Sequence, residues 1–170
     1  HPDSDHYSVL VELLQTMKES GIFIDYVVLS ESAKGNQAYT EIIEAAKNAK
    51  VPVVYINEGM KVSCSPFRIQ CVYDGTQIQD MDDNNASMVL EVTYLNTKCL
   101  FTGDLGIEGE KVLLPKLVDE YRILKVAHHG SKNSSSQEFL DRISPEIALI
   151  SCGKENRYGH PHKETCDRLL

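Results

Sequence analysis

The six histidines of this 170-residue chain fall into three tight pairs, His1 with His6, His128 with His129 and His160 with His162, and none stands elsewhere. Each pair lies just before a predicted helix or just after a predicted strand, where loops present side chains to a common point. A chain built this way has to fold so that three distant loops converge on one site for metal binding or acid–base work.

The segments between the pairs say which fold can do that. Residues 8–20 place Val9, Leu10, Leu13, Leu14 and Met17 on one helical face, with Gly21 as a stop. Residues 22–30 are a β-branched apolar run, 36–50 an amphipathic helix and 51–57 a short strand. From Val62 to Thr102 the pattern turns antiparallel, with strands at 67–75, 87–95 and 98–103, the last two joined as a hairpin through Asn96-Thr97. A helix through 107–120 despite Pro115, a strand at 123–127, a helix at 135–143, a strand at 146–151 and a helical start at 163–170 complete the chain. This mixture predicts an α/β sandwich with mixed sheets, in one domain over residues 1–170.

Composition narrows the partners. Net charge is −8, so the whole-molecule field repels nucleic acid and any polyanion needs local cations. Residues 120–170 carry 8 basic and 7 acidic side chains, whereas residues 1–119 carry 9 and 18, which places the acid in the first two thirds. No apolar run approaches the roughly 20 residues of a membrane helix, so no membrane insertion is expected of this segment. The five cysteines are odd in number with no CxxC pair, and are expected to be mostly buried thiols.

Four motifs carry the chemistry. HPDSDH at residues 1–6 offers His1, Asp3, Asp5 and His6 just before a helix, a ligand density that points to divalent cations. FTGD at 101–104 sets Asp104 at a strand end, where a bridging ligand could sit. KVAHHGSKNSSS at 125–136 runs from a strand through His128 and His129 into Ser131, Lys132 and Ser134, groups suited to an anionic substrate at a helix start. SCGKENRYGHPH at 151–162 places Lys154, Asn156 and Arg157 shortly before His160, the favoured ligand of its pair, and leaves His162 as a surface residue.

The succession HPDSDH, DDNNAS, FTGD, HHGS and YGHP resembles the metallo-β-lactamase superfamily. Within it, Asp3 in place of the usual second histidine, with LKVAHHGSKNSSS and NRYGHP, resembles the C-terminal domain of the ComEC family of competence DNA-uptake proteins over nearly the whole chain. The resemblance implies a metallo-β-lactamase-like αββα sandwich with mixed sheets that lacks its N-terminal, glycine-rich strands here. It implies two divalent ions, with His1 and Asp3 on one, Asp5 and His6 on the other, Asp104 bridging and His160 completing the second site. His129 or His128 contacts metal or leaving group, and Asn84 and Asn85 stand where the wider superfamily has another ligand histidine. The oxygen-rich donor set favours manganese or magnesium, with zinc compatible.

The activity so implied is a DNA phosphodiesterase that degrades the strand not imported during transformation. Asp5, His128 and Lys132 are its catalytic residues, and Ser131, Lys132, Ser134, Lys154, Asn156 and Arg157 its substrate contacts. The implied setting is a soluble domain on the outer face of a multi-pass membrane protein, working with DNA and with the channel part of its own parent. Two rival readings are a small-molecule hydrolase of a thioester, lactone or β-lactam, and a catalytically silent domain that binds DNA or channel partners.

Overall fold

A computed structural model describes residues 2–77 and 84–170, without the Cys64 side chain. The first helix, α1 (Ser4–Ser20), buries Val11 and Leu14 and stops at Gly21, whose φ of 68° suits a residue without a Cβ. Strand β1 (Val27–Ser30), helix α2 (Thr40–Ala49) and strand β2 (Val53–Ile56) follow, with the two strands paired in parallel. Val27 and Leu29 of β1 pack with Val11, Leu14, Ile42 and Ala46 of the helices to form one core.

The expected strand at 22–30 is thus only four residues long. Its ladder starts where Val27 N donates to Pro52 O at 3.0 Å, and Pro52, lacking an N–H, cannot extend the pairing; Phe23 stands 83% exposed beyond it.

The larger sheet contains β3 (Lys61–Cys64), β4 (Phe67–Tyr73), β5 (Val89–Tyr94), β6 (Thr97–Phe101), β7 (Ile123–Lys125) and β8 (Ile147–Leu149), adjacent in that order. Pairing is antiparallel from β3 to β6 and parallel from β6 to β8. Helices α3 (Ile107–Leu113), α4 (Gln137–Ile143) and α5 (Lys163–Leu169) occupy the intervening and final segments. Strand β3 went unread in the sequence because its four residues, KVSC, hold too few apolar side chains to show an alternation. The hairpin turn falls one residue early, on Leu95 and Asn96, since Tyr94 pairs with Thr97. The expected helix at 107–120 ends at Leu113 and passes into a 3₁₀ turn containing Pro115, which cannot donate the α-helical bond.

Alternation gives the sheet two unlike faces. Val89, Leu100 and Leu124 meet Leu105, Leu113, Phe139, Leu140 and Ile143 in the second core. The opposite face carries Phe67, Tyr94, Phe101, Ile147 and Leu149, each 43% to 53% exposed. Among the cysteines, Cys71 alone of the described side chains is buried, with its thiol pushed up to about 12 by that burial, while Cys99 and Cys166 are half-buried and Cys152 is exposed. The expectation of mostly buried thiols is corrected, because Cys152 lies in a loop beyond β8 that no core covers.

Because β6, β7 and β8 run parallel, the loops leaving their C-terminal ends emerge at one edge. Those loops hold Asp104, His128 with His129, and residues 151–162. Such an edge is where α/β sheets place their sites.

Candidate metal centre

Asp104 is set by a buried turn. Gly103 has φ 53°, and a Cβ there would stand 2.9 Å from the Ser87 side chain, so glycine lets β6 turn against Ser87. The buried Ser87 hydroxyl accepts Asp104 N at 2.9 Å and aims the carboxylate, itself 4% exposed.

Ser4, Asp5 and His6 of HPDSDH are not a loop ahead of the helix, as expected, but its first turn. Asp3 is the N-cap, and its carbonyl accepts His6 N at 3.0 Å, so Asp5 and His6 are already helical. A carboxylate in that first turn suits the exposed N–H groups of the helix start. This places His6 Nε2 at 3.1 Å from Asp104 Oδ1.

His128 and His129 follow β7 with φ of 49° and 54°, a left-handed pair that is costly for residues bearing a Cβ. Gly130 continues the turn at φ 84°, and a Cβ there would lie 2.6 Å from Pro161 Cβ. That close approach docks the HHG turn on the loop carrying His160, and His162 N seals it by donating to Gly130 O at 2.9 Å.

The same turn orients His129. Its Nδ1 lies 2.8 Å from Ser151 O, a carbonyl that can only accept, so Nδ1 carries a proton and Nε2 is the nitrogen whose lone pair a metal would take. That nitrogen faces Asp5 Oδ2 at 3.0 Å and Asp104 Oδ2 at 3.6 Å. Asp104 Oδ1 and His129 Nε2 are both buried, and their near neighbours are ligand-type atoms of this cluster: His6 Nε2 for Asp104 Oδ1 and Asp5 Oδ2 for His129 Nε2. Donor atoms of Asp5, His6 and His129 lie within 4.8 Å of one another. Carboxylate oxygens and imidazole nitrogens gathered this closely around one point are the donor set of a divalent ion, so the residues fit one.

The electrostatics agree. Burial alone would raise the Asp104 carboxyl, but the facing imidazoles of His6, His129 and His128 outweigh it and hold the group below the ordinary carboxylate range. Burial, reinforced by His162, His128 and His129, pushes His160 down and keeps its ring neutral, the form that ligates. Asn156 fixes His160 from both sides, accepting its N–H at 2.9 Å and donating to its carbonyl at 2.6 Å.

Asp3, Asp5, Asp104, His128, His129, Asn156, Arg157 and His160 line one cavity of about 590 Å³. His6 abuts it through Asp104. His1, Asp82 and Asp83 lie outside the described residues.

Four expected substrate contacts do not reach the cavity. Ser131 and Ser134 are buried in their own loop, where the Ser134 hydroxyl donates to Ala127 O and Ser131 O and the Ser131 hydroxyl accepts Asn133 N. Lys132 and Lys154 point to solvent outside the lining. Asn85, expected near a ligand position, instead accepts Gly106 N and Gly109 N and holds the start of α3. His162 is more than a surface residue, since its Nδ1 accepts Lys132 N at 3.1 Å.

Residues missed in the sequence mostly brace the loops. Glu110, 1% exposed, accepts Ser135 N and Ser136 N, and burial raises its carboxyl despite those bonds. Arg168 donates to Ser135 O and Ser134 O, and Thr165 to Ser131 O. Glu110 was readable in principle: it is one turn from Leu113 and Leu114, on the face a core helix buries. Tyr158 on the cavity wall gave no such signal.

Residues 81–154, which include Asp104, His128 and His129, match the family model of the metallo-beta-lactamase superfamily. Over those residues the chain resembles the metallo-beta-lactamase superfamily. It is 30% identical to ComE operon protein 3 of Bacillus subtilis over 99% of its own length and 21% of that protein. It is 34% identical to Competence protein ComA of Neisseria gonorrhoeae over 86% of its length and 22% of the relative. Recombination protein 2 of Haemophilus influenzae is 26% identical over 94% and 21%. The chain therefore spans about a fifth of the length of these curated relatives. The superfamily implies divalent metal binding and metal-dependent hydrolase chemistry in general. Among the described residues no helix is long and apolar enough to cross a membrane.

Proposed function

We propose that this domain is a metal-dependent DNA phosphodiesterase. The observation that carries the reading is the meeting, in one cavity, of the Asp5–Asp104–His129 cluster with the Arg157 guanidinium. Cation-binding carboxylates and an arginine lining one space suit an anionic group such as a phosphodiester, for which a neutral lactam has no equivalent.

Asp3, Asp5, His6, Asp104, His129 and His160 are the residues that would hold two divalent ions, joined by His1. Their carboxylates favour manganese or magnesium, and the imidazoles admit zinc. When bound, such ions supply Lewis-acid activation of water and neutralise charge on a phosphate. The chain's own residues do the rest. Asp5 orients the attacking water and takes its proton, His128 gives a proton to the leaving oxygen, and Arg157 holds a non-bridging oxygen. Lys132 and Lys154, outside the cavity, guide the strand further along.

In this reading the domain degrades the strand not imported in transformation, on the outer face of the cell membrane, docked to the channel part of its parent. The half-exposed Phe67, Tyr94, Phe101, Ile147 and Leu149 on the outer face of the larger sheet would meet another part of that parent.

The test compares a single-stranded oligonucleotide, bis-p-nitrophenyl phosphate and a chromogenic β-lactam with Mn, Mg and Zn, in this chain and in its full-length parent. Cleavage of both phosphodiesters is expected, and Arg157→Ala should weaken DNA turnover and flatten its salt dependence with metal content unchanged. Efficient lactam hydrolysis with inert DNA overturns the reading.

A further inference from the structure

Tyr158 belongs to neither hydrophobic core. Its ring is 60% exposed yet lies on the wall of the cavity that holds the carboxylate and imidazole cluster. It is also aligned with that cluster. The His129 and His160 rings are stacked at 6.4 Å with planes 14° apart, and the Tyr158 and His160 rings at 5.7 Å with planes 23° apart. Three near-parallel rings therefore lead from the cluster to the rim. Arg157 extends the series, its guanidinium carbon 4.7 Å over the Tyr158 ring and its Nη2 donating to the Tyr158 hydroxyl.

The loop is set before any ligand arrives. Asn156 Nδ2 donates to Gly153 O and His160 O, Asn156 Oδ1 accepts His160 N, and Gly159 N returns to Asn156 O at 3.2 Å with Gly159 at φ 71°. A pre-ordered aromatic surface binds a flat ligand without the entropy cost of arranging itself.

We infer that Arg157 and Tyr158 form a stacking platform for one unpaired nucleobase beside the phosphate in the cavity, so that the substrate class is single-stranded nucleic acid. The inference rests on the phosphodiesterase reading and specifies its substrate. An aromatic ring capped by a guanidinium plane is the surface on which splayed bases stack, and every base offers a π face, so the contact is tolerant of sequence. A base inside a duplex is already stacked on both faces and cannot use it. The contact also supplies affinity that a chain of net charge −8 cannot draw from phosphate attraction alone.

The test is fluorescence anisotropy on metal-stripped protein with a labelled oligothymidylate about ten nucleotides long, its abasic counterpart and a duplex of equal length. The oligothymidylate should bind about tenfold more tightly than the abasic strand, the size expected of one stacked base. Tyr158→Ala should collapse that ratio toward one, Tyr158→Phe should keep it, and metal content and circular dichroism should be unchanged in both. In metal-loaded protein the alanine variant should raise KM on the oligothymidylate and leave kcat. A ratio near one in the parent protein, or one untouched by Tyr158→Ala, overturns the platform even if phosphodiesters are cut. A ratio that depends on Tyr158 without any cleavage keeps the platform and overturns the phosphodiesterase reading instead.

Discussion

Strand β6 has charged clusters near both of its ends, and they are built on opposite plans. Beyond its C-terminal end, Asp104, Asp5, His6 and His129 gather carboxylate oxygens and imidazole nitrogens around one cavity, with no Lys or Arg ion pair to them among the described residues. Near its start, Lys98 donates to Glu91 at 3.1 Å and to Asp119, while Glu91 also accepts the buried Tyr121 hydroxyl at 3.0 Å. There, every acid faces a donor. A closed network spends its bonding capacity on the fold, whereas an open one keeps it for a ligand at some cost to the fold. Similar residue types thus serve structure at one end of a strand and chemistry at the other.

The sharpest way to break this contrast is Asp104→Ala. Metal affinity should fall by at least ~100-fold, beyond what even supporting residues of a metal site typically contribute. The melting temperature of the metal-free protein should fall only modestly, since the facing imidazoles favour the ionised carboxylate while its burial opposes it. Retention of metal by calorimetric titration, or loss of the metal-free fold, would erase the distinction between the two ends.

Glu91→Ala should give the mirror result. Unfolding free energy from urea titration should drop by about 1–3 kcal/mol, as the buried Tyr121 hydroxyl loses its acceptor and Lys98 one of its two partners. Metal content should not move. A double-mutant cycle with Tyr121→Phe sharpens the point, since the two changes should be non-additive if the groups form one network.

The smallest effect is in pH. Burial works against the Lys98 ammonium, but Asp119 and Glu91 outweigh it and raise its pKa; burial first, then Glu91, raises the Tyr121 hydroxyl. Both groups hold their protons more tightly in the folded chain, so their stabilisation is complete below their ordinary values near ~10 and is lost as pH rises through the raised folded values. Lys98→Met should therefore flatten the fall in urea midpoint above about pH 10 relative to the parent. An unchanged alkaline slope would mean that the ion pair adds little to the fold.

How much of this was legible follows the range of each interaction. Helix α1 could be read from Leu10, Leu14 and Met17 because helical periodicity is written in neighbours three and four residues apart, and its end could be read from Gly21 for the same reason. The three histidine pairs marked the loops of the site, and FTGD marked Asp104, because residue type alone limits which side chains can ligate. Lys132, Ser131 and Ser134 misled for a related reason: a polar loop before a helix reads the same whether its hydroxyls face a ligand or close the loop.

The chain by itself determined most of the elements, though not β3 or the ends of β1 and α3, together with the loops that carry imidazole and carboxylate. Tertiary structure decided which atom each group presents. His129 offers Nε2 because Ser151, 22 residues later, takes Nδ1, and Gly130 fits only because Pro161 packs over it. Glu110 is buried because it braces Ser135 and Ser136 across 25 and 26 residues, and Tyr158 gains meaning from a ring series that starts at His129. Such roles depend on the direction of a side chain relative to partners far along the chain, and direction is set by packing, which local sequence does not encode.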